Sequence, residues 1–163
     1  MEKQREEQDK QLYNSPQFQS IYEKTLHFIE KAYTAIPLEW VHGHFKPQEI
    51  FLAENGTSYL TDFAHTKMVP RGYELAFIIW ADTIMSLPTR TPYGEWKKAI
   101  DEWVDLVKPE LKSISLTTGQ FQAALAERIL GTLLRDFGSS DKTPESIEQM
   151  FNLGMQYLQE MVN

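Results

Sequence analysis

A chain of 163 residues with 42% hydrophobic and 24% charged residues fits one domain with a core of its own. Its net charge of −7 argues against a nucleic-acid partner held through phosphate contacts, and the absence of cysteine excludes disulfides and thiolate metal sites. No apolar run approaches the ~20 residues of a membrane span and the polar start MEKQREEQDKQ has no apolar signal core, so a cytoplasmic protein without a membrane partner is expected.

Residues 1–14, rich in Glu, Lys, Gln and Arg, read as a polar tail or an extension of the helix that follows; residues 15–163 read as a single domain. Ser15-Pro16 is a helix start, with Ser as cap and Pro in the first turn. Phe18, Tyr22, Ile29 and Tyr33 recur at helical spacing, predicting a helix over 16–35 that ends before Pro37. Trp40-Val41-His42 reads as a short buried strand and Phe45–Gln48 as a loop. Glu49–Ala53 and Thr57–Thr61 are strand-like runs around Glu54-Asn55-Gly56, and Asn-Gly there predicts a hairpin. Phe63 to Gly72 lacks periodicity and reads as loop.

The rest reads as helix. Tyr73–Leu87 is apolar nearly throughout, predicting a helix buried on most sides. Pro88 to Pro92 is a linker. Trp96, Ile100, Trp103, Val104 and Val107 predict a helix over Tyr93–Val107, stopped near Pro109. Thr117 with Gln120 fits a capping box for a helix running through Leu134, with Gly138 as its C-terminal glycine. Thr143-Pro144 opens a last helix with Ile147, Met150, Phe151, Met155 and Leu158 as its stripe. The four tryptophans, at 40, 80, 96 and 103, read as core or helix-packing residues. The expected fold is mainly α with a small β-hairpin.

Residues that carry chemistry gather between Trp40 and Ala76. Two histidines, His42 and His44, precede Glu49, and Asp62 and His65 follow. His42-x-His44 on a strand would put both imidazoles on one face, where Asp62 with His65 or Glu49 would complete a zinc or iron site. Lys46 is a loop lysine within reach of a phosphate. Glu95, Asp101, Glu102 and Asp105 form either a solvated helix face or a surface for a cationic substrate.

His42-Gly43-His44-Phe45-Lys46-Pro47-Gln48-Glu49-Ile50 resembles the catalytic loop of the aminoglycoside phosphotransferase and choline kinase group of kinase-like enzymes. That loop usually opens His-Gly-Asp and carries Asn five positions after the Asp. Thr61-Asp62-Phe63-Ala64 resembles the group's metal-binding segment, and Tyr73-Glu74-Leu75-Ala76 the motif that follows it. The three pieces stand in the group's order. The resemblance implies the C-terminal lobe of such a kinase, covering residues 16–160 in its elements and 40–76 in its motifs.

The resemblance also implies roles. His44 takes the position of the catalytic base, and Glu49 and Asp62 take those of the Mg²⁺ ligands. Lys46, Glu49 and Asp62 face the nucleotide, so the implied cofactors are Mg²⁺ and ATP and the implied acceptor is a small-molecule hydroxyl. His42 matches a position that bonds backbone. Two letters depart from the pattern: His44 stands for Asp and Glu49 for Asn. No G-x-G-x-x-G or Walker-type glycine loop is present, and the residues before Trp40 read as tail and helix rather than as a nucleotide lobe. Weak or absent phosphotransfer by this chain alone is therefore expected. The other reading is a non-catalytic, pseudokinase-like binding module. Either predicts a partner, a nucleotide lobe or a second copy, at the face carrying His44 and Asp62.

Overall fold

A computed structural model describes residues 13–84, 90–134 and 143–163. Helix α1, Pro16–Tyr33, starts where the Ser15 hydroxyl accepts the Phe18 N–H at 3.1 Å. Phe18, Ile21, Thr25 and Ile29, spaced three or four apart, form its buried stripe. The chain then enters strand β1, Leu38–Val41. Strand β2, Ile50–Leu52, pairs antiparallel with β3, Ser58–Leu60. Strand β4, Lys67–Pro70, returns antiparallel along β1 with Leu38 opposite Pro70 and Trp40 opposite Met68. Helix α2, Tyr73–Thr83, follows at once. Helices α3, Tyr93–Ser113, α4, Thr118–Leu134, and α5, Pro144–Val162, complete the fold. The architecture is mainly helical, with a small two-sheet antiparallel element inserted after α1.

Helix α4 is the central element and touches each of the other four described helices. Phe121, Ala123, Ala124, Leu125 and Ala126 are fully buried, so its small residues let neighbours approach from several sides. The predicted capping box is present: the Gln120 N–H donates to the Thr117 hydroxyl at 3.2 Å and the Thr117 N–H to Gln120 Oε1 at 2.9 Å. Helix α2 is buried on most sides as expected, with Ile79 and Ala76 fully enclosed. At the contact of α5 with α4, Gly154 leaves no room for a side chain. A Cβ there would stand 3.0 Å from Leu133 Cδ2 and 3.3 Å from Ile129 Cγ2.

Several boundaries differ from the sequence expectation. Helix α3 runs through Pro109 to Ser113 instead of stopping before it. The lost N–H frees only one carbonyl, and Leu111 beyond it is buried and holds the last turn. The helix then ends on Ser115 at φ +57°, with the Leu116 N–H reaching back to the Leu111 carbonyl at 2.8 Å. The segment from Phe63 to Gly72 is not loop: it holds a 3₁₀ turn, Phe63–His65, and β4. Trp40 is not core but 71% exposed. Alternation explains it, because Val41 faces the helices and its neighbour must face away. In the hairpin only Gly56 takes positive φ, at +81°. The Gly56 N–H bonds the Ala53 carbonyl and the Ala53 N–H the Thr57 carbonyl, both at 2.9 Å, which makes a three-residue loop with a glycine bulge. The predicted tail over 1–12, the stretch 85–89 and Gly138 lie outside the described residues. Among the described residues no helix is long and apolar enough to cross a membrane.

Candidate functional site

The site hangs between β1 and β4. The Arg71 N–H bonds the Pro37 carbonyl at 3.0 Å, and the Arg71 side chain bonds Glu39 at 3.0 Å and the Ile114 carbonyl at 3.3 Å. These bonds tie the strand pair to the end of α3. Immediately after β1, Gly43 adopts φ +82°, and a Cβ there would lie 2.1 Å from the His65 carbonyl oxygen. Only glycine fits so close an approach in the left-handed region. The Gly43 N–H donates to Glu74 Oε1 at 2.6 Å, linking the first and third sequence motifs across the base of the site. Burial pushes the Glu74 carboxyl above the usual carboxylate range, opposed by the Gly43 N–H and by the His42 and Lys67 charges.

His42 is buried; its Nε2–H donates to the Thr61 carbonyl, and its ring meets the edge of Phe63 at 4.9 Å. It does not share a face with His44. The strand ends at Val41 and the positive φ of Gly43 breaks the alternation, which corrects the two-histidine face expected from sequence.

The other site residues converge. Asp62 sits in the left-handed region at φ 59°, ψ 58°, a conformation that costs a non-glycine residue on the order of 1 kcal/mol or more. His44 Nδ1 donates to Asp62 Oδ2 at 3.0 Å. That bond, helped by the nearby His65, holds the Asp62 carboxyl below its usual range, although burial opposes it. Glu49 ends the 3₁₀ turn Pro47–Glu49. Its Oε1 lies 4.0 Å from His44 Nδ1 and 3.3 Å from Lys46 Nζ, and its Oε2 accepts the Thr61 hydroxyl at 3.1 Å. The His65 ring lies 4.7 Å from the His44 ring, and Phe77 backs His44 at 5.7 Å. One donor atom from each of His44, Asp62 and His65 lies within 4.8 Å of the other two.

With its Nδ1 proton on Asp62, His44 presents Nε2 as the basic nitrogen, a base oriented by a carboxylate. The carboxylates of Glu49 and Asp62 offer hard oxygen donors beside it.

Sequence reasoning missed the floor of the site. Lys67 Nζ donates to the Tyr73 hydroxyl at 2.9 Å and stands over that ring. Arg128 donates to the same hydroxyl at 3.1 Å and stacks on Trp80 and Phe77 at 4.2 and 4.8 Å. The one available signal was Arg128 beside Glu127 in the midst of an apolar run. The acidic residues of α3 stand apart as a solvated face, with Asp101, Glu102 and Asp105 each paired to a lysine of the same helix and Glu95 exposed.

Compared with protein-family models, curated proteins and solved structures, the chain matches none.

Proposed function

We infer that this domain is a phosphotransferase-type C-terminal lobe that holds Mg²⁺-ATP on Glu49 and Asp62 and presents His44 to a small-molecule hydroxyl. The observation that carries the reading is the His44–Asp62 bond at 3.0 Å with Glu49 Oε1 4.0 Å from the same nitrogen. His44 and Glu49 come from one motif and Asp62 from the next, and they meet. The Gly43–Glu74 bond supports the same reading, because it joins two further positions of the pattern. Two carboxylates suit Mg²⁺, which when bound neutralises phosphate charge.

The chain's own residues then do the rest. Asp62 orients the His44 ring through Nδ1, and Nε2 accepts the proton of the acceptor hydroxyl. Lys46, paired with Glu49 at 3.3 Å, is placed to meet a phosphate oxygen. Imidazole beside phosphates gains a proton readily and loses base function, so slow turnover is expected from this chain alone. The same substitution favours the second reading, a non-catalytic, pseudokinase-like binding or regulatory module. A cytoplasmic setting, where ATP is available, suits both.

The apolar surface around the site supports a partner. Leu38, Trp40, Phe51, Leu52, Tyr59, Phe63 and Met68 are all exposed. Trp40 stands opposite Met68, and Phe51 opposite Tyr59, in the two strand pairs. Self-association or a partner chain at this surface is the expected consequence.

Calorimetric titration of ATP into the chain, with and without Mg²⁺ and repeated with Asp62→Ala, tests the reading. Metal-dependent binding lost in the variant is expected. No heat with either nucleotide form would exclude a nucleotide site in this chain and leave only a nucleotide-free scaffold.

A further inference from the structure

His65 has no place in the phosphotransferase pattern, yet it lies beside the two residues that do. Its ring faces His44 at 4.7 Å with the planes inclined at 51°. Among the described residues no hydrogen bond is formed by a His65 ring nitrogen. Two imidazoles this close repel one another when protonated, while a cation shared between them turns the repulsion into coordination. Asp62 adds a carboxylate, and its left-handed backbone aims that carboxylate at His44.

We propose that His44, Asp62 and His65 form a binding site for a divalent transition-metal ion of the zinc class. Two nitrogens and one carboxylate oxygen are a zinc-type donor set, and Mg²⁺, which prefers oxygen alone, is a poor match for it. The donor atoms lie within 4.8 Å of one another, and at the His44–Asp62 pair, 3.0 Å apart, the metal takes the place of the Nδ1 proton, which is released to solvent on binding. Zinc bonds of about 2.0–2.2 Å need neighbouring donors roughly 3.4 Å apart in a tetrahedron. The difference is a side-chain rotation for His65, which is exposed and free to turn. Three protein ligands leave the fourth position to water, and Glu49 Oε1, 4.0 Å from His44 Nδ1, is the next carboxylate. The site shares His44 and Asp62 with the nucleotide reading but does not rest on it.

The test is calorimetric titration of zinc sulfate into the tag-free chain, with magnesium chloride in parallel, followed by visible absorption of the cobalt-loaded protein. One equivalent of zinc is expected, with no heat from magnesium alone. His65→Ala and Asp62→Asn should each weaken zinc binding at least about tenfold and remove the cobalt bands. His27→Ala, an exposed histidine on α1, should change nothing. Both His65 and Asp62 are exposed, so the variants should melt with the wild type. Absent zinc binding, or binding unaltered in His65→Ala, would overturn the proposal. Mg²⁺-ATP binding retained by His65→Ala separates this site from the nucleotide site, because either can then fail alone.

Discussion

Glu74 is a carboxylate that folding makes harder to ionise. Its folded pKa lies above the ordinary glutamate value, chiefly through burial. The stability it contributes is therefore full below the unfolded pKa and is lost as pH rises through the folded value. Glu74→Gln keeps an acceptor for the Gly43 N–H and removes the titration. The wild type should lose stability relative to this variant as pH is raised from about 4.5 toward neutral, measured by urea unfolding at stepped pH. A difference that stays flat, or grows with pH, would show that the His42 and Lys67 charges outweigh burial. At this scale the sequence was readable where spacing carried the information. His44, Lys46, Glu49 and Asp62 were singled out by position and do come together. The partnership of Glu74 with Gly43 was hidden, because it spans 31 positions and depends on how α2 docks.

Among the elements, the helices were legible and the short strands less so. Apolar periodicity or cap residues marked four of the five described helices, because a stripe facing a core is written along the chain itself, and a nearly unbroken apolar run marked α2. Strand β4 was missed because Lys67–Pro70 is a strand only through β1, and neither its alternation nor its composition announces that pairing. The stop expected at Pro109 failed for a related reason: burial of Leu111 overrode a local breaker. Close approach of α5 to α4 at Gly154 likewise has no local signature. Gly154→Val should drive its side chain into Leu133 and Ile129 and destabilise the protein by about 1–3 kcal/mol, read from the urea midpoint at constant slope. An unchanged midpoint would mean that the two helices slide apart at little cost.

Over the whole molecule, apolar surface is distributed unevenly. Among the described residues the helices expose Leu26, Leu106 and Leu134 singly, while the stretch from Leu38 to Met68 leaves seven large side chains in water, Leu52 at 77% exposure among them. Sedimentation velocity over a concentration series should show the wild-type chain self-associating, and Trp40→Ser with Leu52→Ser should return it to a monomer. Because both residues are already exposed, folding stability should move by less than about 1 kcal/mol. A wild type that stays monomeric at every concentration would remove the second copy as the occupant of this surface.

The same unevenness bears on how the site can change. No hydrophobic residue between Val41 and Tyr73 is buried, although this stretch carries every residue proposed for chemistry. The helices thus set the folding stability and the excursion between β1 and β4 draws on it, fastened by Gly43, Glu74 and Arg71. Substitutions at exposed, loosely packed positions such as Asp62 and His65 cost the fold little. A domain built this way can exchange residues in this excursion without passing through an unstable intermediate. Residues of the site are free to change while the helical scaffold stays fixed, so a change of ligand and a stable fold are compatible in this architecture.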